Sequence, residues 1–133
     1  MISEVERANG DSIKLEHDGS DFAIQEIDRM RAYELEARRL IAEGKPALYR
    51  LMPIAELGDS GQSRYIAAFL LGLYNGPRFP FDLTELRCLD SALQDDCLTV
   101  LKMDARACLK EVHCYFNNGG ERFENMAKRW SLK

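Results

Sequence analysis

The sequence predicts an all-α protein, a single compact domain of about six or seven helices with a short extended segment near the amino terminus. Apolar residues recur at three- and four-residue steps through most of the chain. Capping and stopping residues (Asp, Ser, Gly, Pro) stand where those periodic runs begin and end. At 133 residues the chain has the length of one domain and can bury a core without a metal or a disulfide.

Residues 1–20 form an amino-terminal segment, partly extended or disordered, and 21–133 the helical domain. The first dozen residues lack periodicity. Ser12 to His17 then reads as a short extended run reaching a tight turn at Asp18 and Gly19, a pair that tolerates positive φ. From Phe22 the spacing of Ile24, Ile27, Met30, Ala37 and Ile41 describes a long amphipathic helix, capped by Ser20 or Asp21 and ended by Gly44, Lys45 and Pro46. Pro46 suits the first turn of a second helix through Leu48, Tyr49, Leu51 and Met52. Pro53 should kink it or force a fresh start before Ile54 and Leu57.

Asp59 or Ser60 caps the next helix. Its Ile66 to Tyr74 run leaves almost no polar face, which places it at the centre of the domain with Phe69 and Leu70 in the core. Asn75, Gly76 and Pro77 stop it. The prolines of Arg78-Phe79-Pro80-Phe81 keep the crossing extended. Asp82 with Glu85 forms a capping-box pattern ahead of a Leu83, Leu86 and Leu89 stripe. Asp90 or Ser91 caps a helix with Leu93, Cys97, Val100, Leu101 and Met103. A short helix around Leu109, Val112 and Phe116 ends at Asn117-Asn118-Gly119-Gly120, and the last helix carries Phe123, Met126, Ala127 and Trp130.

Composition narrows the function classes. A 46% hydrophobic, 30% charged chain is ordinary for a soluble globular protein, and its longest apolar run, Tyr65 to Tyr74, is far short of a membrane span. The acidic, polar start lacks the basic and apolar regions of a signal peptide, so the expected compartment is the bacterial cytoplasm. Charge is uneven within the net −4: residues 1–28 hold eight acids against Arg7 and Lys14, and residues 82–104 hold six against Arg87 and Lys102. Cys88, Cys97, Cys108 and Cys114 have no CxxC pair and are expected reduced, behaving as small buried hydrophobes. Cys108, His113 and Cys114 are the best available zinc set, but they lack the two close pairs of such a site, so no metal is expected.

No cofactor is expected either. Gly119-Gly120 before a helix lacks the ending of a P-loop and the spaced glycines of a dinucleotide fingerprint, and reads as a helix junction. His113 beside Cys114 could supply a base and a thiol, yet neighbours on a helix point about 100° apart and do not naturally meet. Asp90, Asp95 and Asp96 lie along one helix with no second carboxylate cluster to complete a magnesium site. Arg122, Lys128, Arg129 and Lys133 near Trp130 make a weak nucleic-acid footprint in an acidic protein. No catalytic residue is assigned.

Gly58 to Gly76 (GDSGQSRYIAAFLLGLYNG), the FDLTELRCLD run and the later VHCYFNNGGERFENMAKRW together resemble an uncharacterised family of small proteins carried on bacterial plasmids, integrative conjugative elements and prophages. The resemblance covers about residues 47–130. It implies a mobile-element setting and lends no catalytic residue. The expected function is that of a non-enzymatic, protein-binding accessory factor, an inhibitor of a host defence complex such as CRISPR or restriction. Its expected contacts are Asp90, Asp95, Asp96, Arg31 and Arg38. The alternatives are a small enzyme using His113 with a cysteine or carboxylate, and a nucleic-acid-binding regulator using the basic carboxyl-terminal helix.

Overall fold

The computed structural model describes residues 19–132, with side chains from Asp21 onward; the extended segment expected at 12–19 lies almost wholly outside them. The described residues are all-α. Helix α1 spans Gly19–Leu57, α2 Gly61–Tyr74, α3 Ser91–Lys102 and α4 Gly119–Arg129. A π-helical segment, Met103–Ala107, prolongs α3, and 3₁₀ helices cover Leu83–Cys88 and Val112–Tyr115. Five helical elements of α or π type therefore replace the six or seven expected. Two compact units divide between Leu35 and Glu36.

The count falls because α1 does not break at its prolines. Pro46 and Pro53 both lie inside it, although an interior proline costs a helix about 3 kcal/mol or more. Both rings face solvent, and so do Ala42 and Tyr49, whose carbonyls lose the N–H that each proline cannot supply. Water can satisfy those acceptors. Meanwhile Ala47, Leu48, Leu51, Met52 and Ala55 are fully buried on the opposite face, and each large aliphatic side chain removed from water contributes roughly 1.5–3 kcal/mol. Burial on both sides of each proline outweighs the two missing bonds.

The core of the second unit joins that stripe to Ile66, Phe69, Leu70 and Leu71 of α2, Cys97 and Val100 of α3, and Phe123, Met126 and Ala127 of α4. The nearly all-apolar α2 is central as expected, with Phe69 4% and Leu70 0% exposed. It packs against α4 and both 3₁₀ helices. Local caps follow the sequence closely. Ser60 accepts from the Ser63 N–H at 3.1 Å, Asp82 from Thr84 at 2.9 Å and Asp90 from Leu93 at 2.9 Å, each satisfying a donor that a first turn leaves open.

Two expected α-helices shrink to 3₁₀ turns, and their apolar residues divide. Leu89 is buried, but Leu83 and Leu109 point outward at 69% and 62% exposure. At the α4 start Asn118 adopts φ 54°, and a Cβ on Gly119 would stand 1.7 Å from the His113 carbonyl oxygen. The glycine pair is a helix junction in which one member is required by close backbone approach.

Candidate functional site

The acids expected to meet a partner have work inside the fold. Asp90 caps α3 through Leu93. Asp96 takes both arms of Arg50, at 2.8 and 3.1 Å, and this pairing raises the arginine above its ordinary pKa. Asp95 is exposed, and its backbone carbonyl accepts the Thr99 hydroxyl at 2.9 Å. Two of the three carboxylates are thus held by structural bonds.

The first unit presents a different surface. Its helix exposes Ile24, Ile27, Met30 and Leu35, with Ile27 at 47% and Met30 at 63%. Phe22 and Tyr33 add two exposed rings. The three-residue spacing of Ile24, Ile27 and Met30 that marks one face of an amphipathic helix is present, and among the described residues these side chains are exposed. Arg31 is exposed on the same stretch.

In the second unit the outer face of α1 forms an open groove of about 490 Å³ lined by Arg38, Ile41, Ala42, Lys45, Pro46 and Tyr49. Tyr49 is fixed there. Its hydroxyl donates to the Tyr115 carbonyl at 3.1 Å, and its ring stands edge-on to Phe116 at 5.4 Å. On the neighbouring face Arg39 donates to Glu36 at 2.7 Å and to Glu43 at 3.2 Å. Its hydrogen bond holds the Glu36 carboxyl below the usual range. The sequence reading placed Arg38 at a contact surface but missed Tyr49 and Pro46, which it assigned to a separate helix. The available signal was their recurrence at 42, 46 and 49.

His113 and Cys114 do meet, contrary to the expectation from helix geometry: Sγ lies 3.6 Å from Nε2. Neighbouring Cβ vectors diverge, but the far nitrogen of an imidazole reaches well beyond its Cβ. Tyr74 stands edge-on to His113 at 5.0 Å, with Phe123 beyond at 6.5 Å, and Nδ1 is buried without a hydrogen-bond partner.

The cysteines are free, but only Cys97 is buried; Cys88, Cys108 and Cys114 are exposed, unlike the small core hydrophobes expected. Burial, with Asp96 nearby, pushes the Cys97 thiol up to about 12. Among the described residues no three His, Cys, Asp or Glu side chains converge on a possible metal position. Among the described residues no helix is long and apolar enough to cross a membrane.

Two of the basic residues expected near the carboxyl terminus, Arg122 and Arg129, have contacts of their own, and Lys133 lies outside the described residues. Arg122 binds Glu56 through two hydrogen bonds of 2.6 and 2.9 Å, and the Arg129 guanidinium sits 4.5 Å from the Trp130 ring centre. Glu124 receives Tyr74 Oη at 2.6 Å and two bonds from Arg78 at 2.6 and 3.0 Å. Arg78 and then Tyr74 hold its carboxyl down to about 2. The Arg122–Glu56 and Glu124 contacts are fold-closing bonds between elements distant in sequence.

Neither the curated proteins nor the solved structures hold a match to this chain. The model of a family of unknown function, DUF7673, matches residues 45–131, nearly the span over which the sequence resemblance runs. The chain belongs to that family of unknown function, DUF7673.

Proposed function

We propose that this protein is a non-enzymatic protein-binding factor that offers the amphipathic helix of its first unit to a partner. The observation that carries the reading is the exposed run of Ile24, Ile27, Met30 and Leu35 within twelve residues of one helix. Ile24, Ile27 and Met30 recur every three residues, with Leu35 three turns on from Ile24, and apolar anchors spaced along one helix in this way are what a hydrophobic groove on another protein receives. Contiguous apolar surface of this kind is uncommon on a chain that works alone. The narrower setting, an inhibitor of a host defence complex such as CRISPR or restriction encoded on a mobile element, is supported by the sequence resemblance.

The test is an Ile27→Glu/Met30→Glu variant. Both side chains face solvent, so circular dichroism and Tm should match the parent. Recovery of a stoichiometric partner from a bacterial lysate should fall to background, and any protection of an incoming plasmid against CRISPR or restriction should disappear with it. Equal recovery by parent and variant would remove this face from the function.

One observation favours a second reading, a small enzyme using His113 with Cys114: the 3.6 Å approach of their sulfur and nitrogen. A bell-shaped pH profile for Cys114 alkylation that collapses in His113→Gln would support it. A simple thiol titration unchanged by that substitution would remove it.

A further inference from the structure

The groove on α1 in the second unit has a chemistry of its own. Ile41, Ala42, Pro46 and Tyr49 supply an apolar floor and wall, while Arg38 and Lys45 add two positive charges. Two of the neighbouring acids, Glu36 and Glu43, are already taken by Arg39. Arg38 and Lys45 make no ion pair among the described residues. Tyr49, pinned at both its hydroxyl and its ring, presents a preformed surface whose ordering cost is already met in the fold. Pro46 supplies no N–H to the Ala42 carbonyl, which leaves a backbone acceptor at the groove as well.

We propose that this groove binds an acidic amphipathic segment of a protein partner, with an apolar side chain seated against Ile41, Pro46 and Tyr49 and carboxylates meeting Arg38 and Lys45. The inference rests on the protein-binding reading and names the chemistry of one contact. The two cations lie seven residues apart on one helix, about 10 Å along its axis, which matches carboxylates two turns apart on a helix laid alongside. A second copy of this chain docked by the same face would bring these cations against themselves, a symmetric contact that like charge opposes. Two cations are also fewer than the cluster by which a helix holds an anionic membrane.

The probe is a labelled helical peptide of roughly 18 residues with leucines at i, i+3, i+4 and i+7 and flanking glutamates, compared with its lysine-for-glutamate counterpart. Fluorescence anisotropy against the full chain should show binding of the glutamate peptide that weakens about fivefold or more between low and physiological salt. Arg38→Glu/Lys45→Glu should weaken it about tenfold or more. Ala42→Glu, which fills the groove from an exposed position, should do the same, with Tm unchanged in both variants.

No binding of the glutamate peptide, equal binding of the lysine peptide, or parental affinity in the charge-reversed variant would each overturn the proposal. Light scattering that shows a dimer lost in Ala42→Glu would assign the groove to a second copy. Groove-dependent binding to anionic phosphatidylglycerol vesicles in place of the peptide would assign it to a lipid surface. If the groove variants still capture a partner that Ile27→Glu/Met30→Glu loses, the protein-binding reading stands and only this contact fails.

Discussion

Gly44 of α1 lies directly against Met103 at the junction of α3 and its π-helical extension: a Cβ on Gly44 would stand 2.5 Å from the methionine Sδ and 2.6 Å from its Cβ. The sulfur end of that side chain can swing aside, but its Cβ is fixed to the backbone. Gly44→Ala should therefore destabilise the fold despite alanine's better helix propensity, and Gly44→Leu should cost about 1–3 kcal/mol as an overpacked contact. Urea unfolding of both variants measures this.

Adjacent glycines at the α4 start should behave in opposite ways. A Cβ on Gly119 would collide with the His113 carbonyl, whereas one on Gly120 meets nothing within 4 Å. Gly119→Ala should lower Tm severely. Gly120→Ala should leave it unchanged or raise stability by up to about 1 kcal/mol through helix propensity. Thermal melts of the pair check the prediction.

The Glu124 cluster makes stability depend on acid. Its folded carboxyl is held down to about 2, below its ordinary value, so its contribution is present above the unfolded pKa and is lost as pH falls from about 4.5 through 2. The Glu124 side chain is 37% exposed, and solvent screening reduces the effect to about 1 kcal/mol. Glu124→Gln should lower stability at neutral pH and flatten its decline across that window, read by denaturation at a series of pH values.

Asp104 works with the opposite sign. Burial, with Glu111 nearby, raises its carboxyl above the ordinary range, so stability falls as pH rises from the unfolded pKa through that raised value, above which the loss is complete. Asp104→Asn should raise Tm at neutral pH, and the gain should vanish in acid where the aspartic acid is protonated in both states.

Alkylation should divide the four thiols. Cys88, Cys108 and Cys114 are exposed, whereas Cys97 is 0% exposed with its thiol pushed up to about 12. Iodoacetamide should label the first three in native protein and reach Cys97 only in denaturant, which peptide mass mapping will show. Labelling of Cys97 at the rate of Cys114 would contradict the packing around α3.

The sequence by itself determined whatever depends on neighbours a few residues away. Ser60, Asp82 and Asp90 could be named as caps because each bonds a donor two or three residues on, and the apolar sweep of α2 announced its own burial. Tertiary structure alone decided the continuity of α1, since whether Pro46 and Pro53 break a helix depends on what buries the turns around them. It also decided which half of one periodic pattern is core. Ile27 and Met30 carry the same spacing as Leu48 and Leu51, yet the first pair is exposed and the second fully buried. Periodicity fixes which side chains share a face of a helix. In the second unit the arrival of α2, α3 and α4 covers that face, and the same arrival commits Asp96, Glu124 and Arg122 to partners about 46 to 66 residues away in sequence.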